Sequence, residues 1–346
     1  MKTLTFISLM TTSVACLGSC TNPAASDAQQ PWIVDRFDDI KVIRYEVPGF
    51  ERIPLEQKEL IYYLAEAAKC GRDILFDQNC AANLPIRRTL ETLYLNYKGD
   101  RTSDEWKALE KYLKKVWFAN GIHHHYSNDK FRPEFSESFF REAAASVGMD
   151  RFPADFDFLC KVIFDPAIYP TRLNQAAGAD MLWTSASNYY SNVRQHEAEQ
   201  FYAAMAAADA GDPCPVSYGL NSQLVKEEKT GRLYERMWKV GGMYSPAIER
   251  IVYWLEKAPQ KQTLAALIDY YRTGDLKQFD RYNILWLQDT VSNVDFVNGF
   301  IETYGDPLGY KASWEANVNF VDSAACRRTR IISENAQWFE DHSPVD

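Results

Sequence analysis

No C-x-x-C pair occurs among the seven cysteines, so the chain shows neither a thiolate zinc knuckle nor a thioredoxin-type redox motif. G-x-S-x-G, the P-loop and a strand-borne G-x-G-x-x-G are also missing, which argues against nucleophile-elbow hydrolases, P-loop enzymes and dinucleotide binders. Lys and Arg number 38 against 47 Asp and Glu and form no dense cluster. With a net charge of −9 and a pI near 5.2, the chain offers no basic face to nucleic acid or to an anionic membrane surface. Past the first twenty residues no apolar run is long enough to span a bilayer. Gly and Pro are sparse at 16 and 15 of 346 residues, far from collagen-like or low-complexity composition. What is abundant is aromatic: 9 Trp, 20 Tyr and 19 Phe within a 46% apolar chain exclude disorder. The length suits one large domain or two smaller ones.

The N-terminus reads as an address. Lys2 and the apolar stretch Leu4 to Met10 resemble a secretory signal, and Leu17-Gly18-Ser19-Cys20 has the spacing of a bacterial lipobox, with Cys20 as the lipidated residue. The expected organisation is a signal peptide over 1–19, a flexible tether over 20–31 with no side chain larger than Ala except polar ones and Pro, and one continuous body over 32–346. The implied location is a bacterial cell envelope, reached by export and held through an N-terminal lipid. Cys16 leaves with the signal, and the five thiols beyond Cys20 are odd in number, so at least one stays free. Cys70 and Cys80 are candidates for a bridge, which sequence alone does not establish.

Hydrophobic periodicity predicts helices through the first half. Pro54 opens one stripe (Leu60, Ile61, Leu64, Ala67, Ala68). Thr102 with Glu105 reads as a capping box before Trp106, Leu109, Leu113, Val116 and Trp117, closed by Gly121. Ser136 caps a helix carrying Phe139, Phe140 and Ala143; others run from Glu197 to Ala210, from Ser245-Pro246, and up to Gly274. Strands are expected over Ile40–Glu46, Tyr218–Val225 paired with Leu233–Val240 around Lys229-Thr230-Gly231, Asn283–Gln288, Val294–Tyr304 and Ser313–Val321. Hairpin-connected strands among helices predict an α+β fold, mostly helical, with a small antiparallel β-barrel or curled sheet.

Three stretches carry side chains suited to chemistry. His196-Glu197 lacks a second His one turn on, where Gln200 stands, so it reads as a surface or capping histidine and not a zinc helix. His123-His124-His125 diverge as neighbours do, which favours a polar loop with one imidazole bonded inward over a metal site. On a strand, Glu302 and Tyr304 share a face with Phe300 and Asn298 behind them, next to the tight turn Asp306-Pro307-Leu308-Gly309. Spacing alone favours a solvated strand face with a turn after it over a cleft.

The stretch Ile301-Glu302-Thr303-Tyr304-Gly305-Asp306-Pro307-Leu308-Gly309 resembles the I-E-S/T-Y-x-D-P-x-G segment of the dipeptidyl peptidase III family, the M49 metallopeptidases. Asn120-Gly121 through Asp129-Lys130-Phe131-Arg132-Pro133, then Asn188-Tyr189-Tyr190-Ser191, are similar to further landmarks of that family. Tyr218 to Ser222 and Trp238-Lys239-Val240-Gly241 look like its bacterial branch. The landmarks stand in the family's order. The resemblance implies an exopeptidase cleft between a β-barrel lobe and a zinc-bearing lobe, removing dipeptides from peptide N-termini. It implies that Glu302 grips the substrate ammonium, that Tyr304 is the catalytic phenol polarising the scissile carbonyl, and that Tyr126 lines the first substrate subsites, where Phe is common in the family.

The family's zinc helix H-E-x-x-G-H and later Glu ligand are absent from these 346 residues, so no metal ligands are assigned and no cofactor is expected in this chain; zinc belongs to the full-length family enzyme. The resemblance is thus to the N-terminal, barrel-bearing lobe, inactive by itself. The expected partners are short peptides, a separate or downstream zinc-bearing lobe, and a membrane touched only through the lipid, with no nucleic acid. The competing expectation is a peptide-binding surface lipoprotein that has lost catalysis.

Overall fold

The computed structural model describes residues 32–259 and 261–344. The signal peptide, the tether and Cys20 lie outside the described residues. No helix among the described residues is long and apolar enough to cross a membrane. The chain divides after Val47 into two units.

The first unit contains one antiparallel hairpin, β1 (Ile33–Phe37) with β2 (Ile40–Ile43). Asp38 turns it with φ of 53°, a left-handed conformation that short polar side chains tolerate.

The second unit opens with α1 (Leu55–Cys70), α2 (Arg72–Asn79), α3 (Asn83–Asn96), α4 (Asp104–Ala119), α5 (Glu137–Val147), α6 (Phe156–Phe164) and the short α7 (Met181–Thr184). Then follow β3 (Tyr190–Ser191), α8 (Gln195–Ala208), β4 (Ser222–Lys226), β5 (Leu233–Met237), α9 (Ser245–Lys257), α10 (Gln262–Thr273) and α11 (Leu276–Gln288). The long ribbon β6 (Val294–Glu302) with β7 (Ser313–Phe320) precedes α12 (Ser323–Glu334) and α13 (Ala336–Asp341). The α+β class holds. The strands stay in separate small sheets, with β3 parallel to β4, β4 antiparallel to β5, and β6 antiparallel to β7, so the described residues form no closed barrel.

Two large cores share the work. In one, Phe76, Ile86, Trp106, Leu113, Phe140 and Phe156 are buried between α2 and α6. In the other, Leu64, Ile248, Leu267 and Tyr271 from α1, α9 and α10 pack on Phe300 and Trp314 of the ribbon. Gly71, at the junction of α1 and α2, makes that packing possible, because a Cβ there would come within 2.2 Å of the Trp314 ring.

Two local expectations are corrected. Asn283–Gln288 is not a strand but the second half of α11; Phe279 and Tyr282 are buried one turn apart, and Asp275 caps the helix by accepting from the Lys277 N–H. A run of four apolar residues, Ile284 to Leu287, does not distinguish the two, and the stripe that decides begins upstream of it. The cap of α4 is Ser103 and not Thr102: its hydroxyl accepts from the Trp106 N–H at 3.3 Å. Glu105 turns instead to Ser136, accepting from both its N–H and its hydroxyl. Ser103→Ala is therefore expected to cost about 1 kcal/mol and Thr102→Ala less, because Thr102 bonds only Asp100. Urea midpoints of the two variants, ranked the other way, would refute this assignment. Cys70 and Cys80 are both free thiols, so no bridge joins them.

Candidate functional site

The β6–β7 ribbon is in register from Val294↔Phe320 to Phe300↔Trp314, then slips, so that Glu302 pairs with Ser313. This bulge at Ile301 changes which face Glu302 occupies. Phe300 and Trp314 point into the core, while Ser313 and Glu315 alternate to the other face of β7. Glu302, paired with Ser313, joins them there, and Phe300 lies across the sheet instead of behind Glu302 on its own face, as uninterrupted alternation had predicted. Bulges next to functional sites re-aim side chains in this way.

The result is a pair of carboxylates on adjacent strands. The Glu315 carboxyl is pushed up to about 7, first by burial and then by the negative charge of Glu302; the Ser313 hydroxyl, 3.0 Å away, opposes the shift. Glu315 was missed because it sits thirteen positions beyond Glu302 in the chain, and only the bulged register brings them together. Tyr304 follows on the exposed rim, 71% accessible. Its phenol is pushed up to about 12, chiefly by its contact with the Glu302 carboxylate, and so keeps its proton at neutral pH. Glu302 and Tyr304 thus act on one another.

The turn after Tyr304 is fixed from below. The buried Asp306 carboxylate accepts from the Tyr190 hydroxyl, from the backbone N–H groups of Tyr310 and Lys311 at 2.8 Å each, and from Leu308 N–H at 3.2 Å. The Asn188-Tyr189-Tyr190 stretch is scaffold for this edge. Asn188 donates to Asp77 and accepts from Gln223, and a Cβ on Gly305 would lie 3.1 Å from the Tyr189 hydroxyl. Beneath the turn, Lys311 is wholly buried; its ammonium donates to Ser222 at 2.9 Å and to Tyr202, with Glu235 3.5 Å away. Burial pulls the Lys311 ammonium down to about 8.

Tyr126 stands 84% exposed on the loop after α4, its ring 4.2 Å from that of His125. Two residues on, the Asn128 side-chain oxygen accepts from Arg172 at 2.9 Å, and the charge of Arg172 acts on the Tyr304 phenol. Of the histidines, His123 is buried with Nε2 2.9 Å from the Tyr169 carbonyl, the single inward imidazole expected, and burial pulls it down to about 4. His196 is exposed at the start of α8. Among the described residues no three His, Cys, Asp or Glu side chains are gathered to hold a metal ion. The described residues therefore do not fit the zinc that the family resemblance implies, and no step below runs through it.

A paired-carboxylate edge with a proton-bearing phenol beside it has the chemistry to hold a cationic group next to a carbonyl. Residues 179–345 match the model of Peptidase family M49, a span that includes the whole of this edge. Among characterised relatives, dipeptidyl peptidase 3 of Homo sapiens is 27% identical over 153 residues, 42% of this chain and 20% of that protein. The Rattus norvegicus protein is 31% identical over 131 residues, 35% of this chain and 18% of that one. The structure of dipeptidyl-peptidase III from Corallococcus sp. strain EGB superposes with a TM-score of 0.54 at 16% identity, covering 88% of this chain and 46% of that one. The enzyme from Caldithrix abyssi gives 0.53 at 16% identity, covering 86% and 45%. The family-model match, the relatives and the solved structures together support assignment to peptidase family M49. The chain spans about a fifth of the human relative and less than half of the two solved structures.

Proposed function

We propose that this chain binds the free amino terminus of short peptides for dipeptide removal, as the substrate-holding part of an M49 dipeptidyl peptidase. The observation that carries this reading is the bulge that brings the Glu302 carboxylate to the face of Ser313 and Glu315, where it acts on the Glu315 carboxyl. Two carboxylates facing each other in a partly dry edge repel, and an ammonium between them relieves that repulsion through charge-assisted hydrogen bonds. Tyr304, two residues on and protonated at neutral pH, donates to a carbonyl of the bound peptide as negative charge gathers on its oxygen. The residues described supply binding and carbonyl polarisation, so the 346-residue polypeptide by itself releases no dipeptide. As part of the same proposal, Cys20 carries lipid in a bacterial envelope; radiolabelled palmitate incorporated equally into a Cys20→Ala variant would remove that part.

Calorimetry with Ala-Ala-Ala-Ala amide and its N-acetyl form tests the central claim. The free amine is expected to bind at least about tenfold more tightly, the value of one charge-assisted hydrogen bond. Equal affinities would show that the carboxylate pair reads no ammonium. Affinity should also rise as pH climbs through 7, because Glu315 must lose its proton to hold the cation, and fall again as the peptide amine deprotonates near about 8.

A further inference from the structure

A cavity of about 490 Å3 opens between α2, α3 and the start of α9, and none of its lining residues belongs to the Glu302–Tyr304 edge. Its size is that of an ordinary small-molecule site. Two acids and two bases line it: Asp73 and Asp77 on α2, Arg88 on α3 and Arg250 on α9, with Ile74 and Ala247 on its apolar wall. The charges do not cancel pair by pair. Asp73 is taken by Arg87 at 2.9 Å and by Arg88 at 3.5 Å. Asp77 and Arg250 are left over, and neither forms an ion pair among the described residues, although both line the one cavity.

Asp77 is held through a single oxygen. Oδ2 accepts from the Tyr244 hydroxyl at 2.6 Å and from the Asn188 amide at 2.9 Å, while Oδ1 accepts from none of the described residues. Oδ1 is not one of the sealed, unpartnered polar atoms of the interior, so it opens on the cavity. Burial raises the pKa of this carboxyl, and the two hydrogen bonds on Oδ2 pull against the rise. A cation at Oδ1 offsets what remains of that cost.

The acid is also preformed. Tyr244 stands in the left-handed region, with φ 65° and ψ 11°, which a bulky side chain takes only where its surroundings impose it. This strained residue is the one whose phenol fixes Oδ2 and so leaves Oδ1 outward. Asn188 is locked from behind: its N–H donates to the Gln78 carbonyl at 2.8 Å, and its amide oxygen accepts from Gln223 at 2.9 Å. Arg250, by contrast, is exposed, one turn beyond Pro246 on α9. A fixed acid within and a guanidinium at the rim match a ligand that carries the opposite charges in the same order.

We propose that this cavity is a second binding site, for a small zwitterion: an amino acid or dipeptide whose ammonium lies on Asp77 Oδ1 and whose carboxylate meets Arg250, with Arg88 beside it. A lone cation leaves Arg250 unmatched and a lone anion leaves Asp77 so; a zwitterion answers both. The site goes beyond the amino-terminus reading above and does not depend on it.

The test is calorimetry on the 346-residue chain carrying Glu302→Gln, which silences the edge. Ala-Ala is expected to bind at one saturable site. Ala-Ala amide lacks the carboxylate and N-acetyl-Ala-Ala lacks the ammonium, and each should bind about tenfold or more weakly. Free alanine, run in parallel, separates the two sources: whichever of Ala and Ala-Ala binds more tightly matches the span between the charges. Asp77→Asn keeps an oxygen for Tyr244 and Asn188 and should weaken Ala-Ala about tenfold or more. Arg250→Gln should do the same and bring Ala-Ala level with its amide. Absence of saturable binding by either zwitterion overturns the proposal, and so does an affinity unchanged in both variants. A penalty for only one of the two capped forms also overturns it, since a single charge then suffices. Should Asp77→Asn fail to fold, Arg250→Gln decides, because that side chain is exposed and holds nothing in place. Binding of the tetrapeptide amide to the chain with Glu302 intact reports the edge separately, so either reading can fail without the other.

Discussion

Glu302→Gln is expected to weaken binding of a free-amine peptide by about ten- to a hundredfold at pH 7.5, with the fold intact. The substitution keeps shape and removes the charge that makes the ammonium bond strong, and bonds to charged groups contribute about 1.5–3 kcal/mol each. Glu315→Gln should lose affinity too, and it changes stability in a direction that separates it from an ordinary surface variant. In the folded chain Glu315 titrates at about 7, against 4.5 for a free glutamate. Between those values the folded state binds more protons than the unfolded one, so the wild-type chain loses stability as pH rises through that window. Glu315→Gln abolishes this slope: relative to wild type it should gain stability between pH 5 and pH 8. The exposed part of the group screens the effect, so the sign and the window are the prediction. Urea denaturation of both proteins at the two pH values checks it. A variant that is weaker in binding yet more stable at pH 8 would identify the carboxylate pair as a strained binding device; one that is less stable there would show that Glu315 serves the fold.

How far the chain could be read without coordinates is clearest at this same edge. The spacing of Glu302 and Tyr304 and the D-P-x-G turn were visible, because they are local. Glu315 was not, because it depends on a one-residue slip of register, and a slip moves every side chain beyond it to the opposite face. Helix positions followed from periodicity wherever a stripe ran for three turns, as in α1, α4 and α9. The error in α11 arose where the apolar run was too short to show a period. The closed barrel was an inference from strand count. It fails because, among the described residues of the second unit, β3 to β5 and β6 with β7 stay in separate sheets.

Asp306→Ala is the substitution expected to harm the fold most, costing about 4 kcal/mol or more. Its carboxylate is the common acceptor for four donors, and two of these, the Tyr190 hydroxyl and the Lys311 N–H, belong to half-buried and fully buried residues. Each donor left unsatisfied costs about 1–3 kcal/mol. The consequence spreads through Lys311. That residue enters the interior directly from the turn, and its ammonium must reach Ser222, Tyr202 and Glu235. If the turn loosens, a buried charge loses its aim, and a buried ion pair with one partner displaced is worse than no pair. Asp306→Asn should be milder, because burial already raises the pKa of this carboxyl and the neutral amide avoids that penalty, while one amide oxygen still accepts. Both variants should lose peptide binding in proportion to their loss of stability, whereas Glu302→Gln loses binding with none. Midpoints of urea unfolding followed by far-UV circular dichroism, set against affinities for the same peptide, separate the two behaviours. An Asp306→Ala protein that unfolds at the wild-type midpoint would mean that the Glu302–Tyr304 rim is held by the ribbon alone, and that the turn beneath it is incidental.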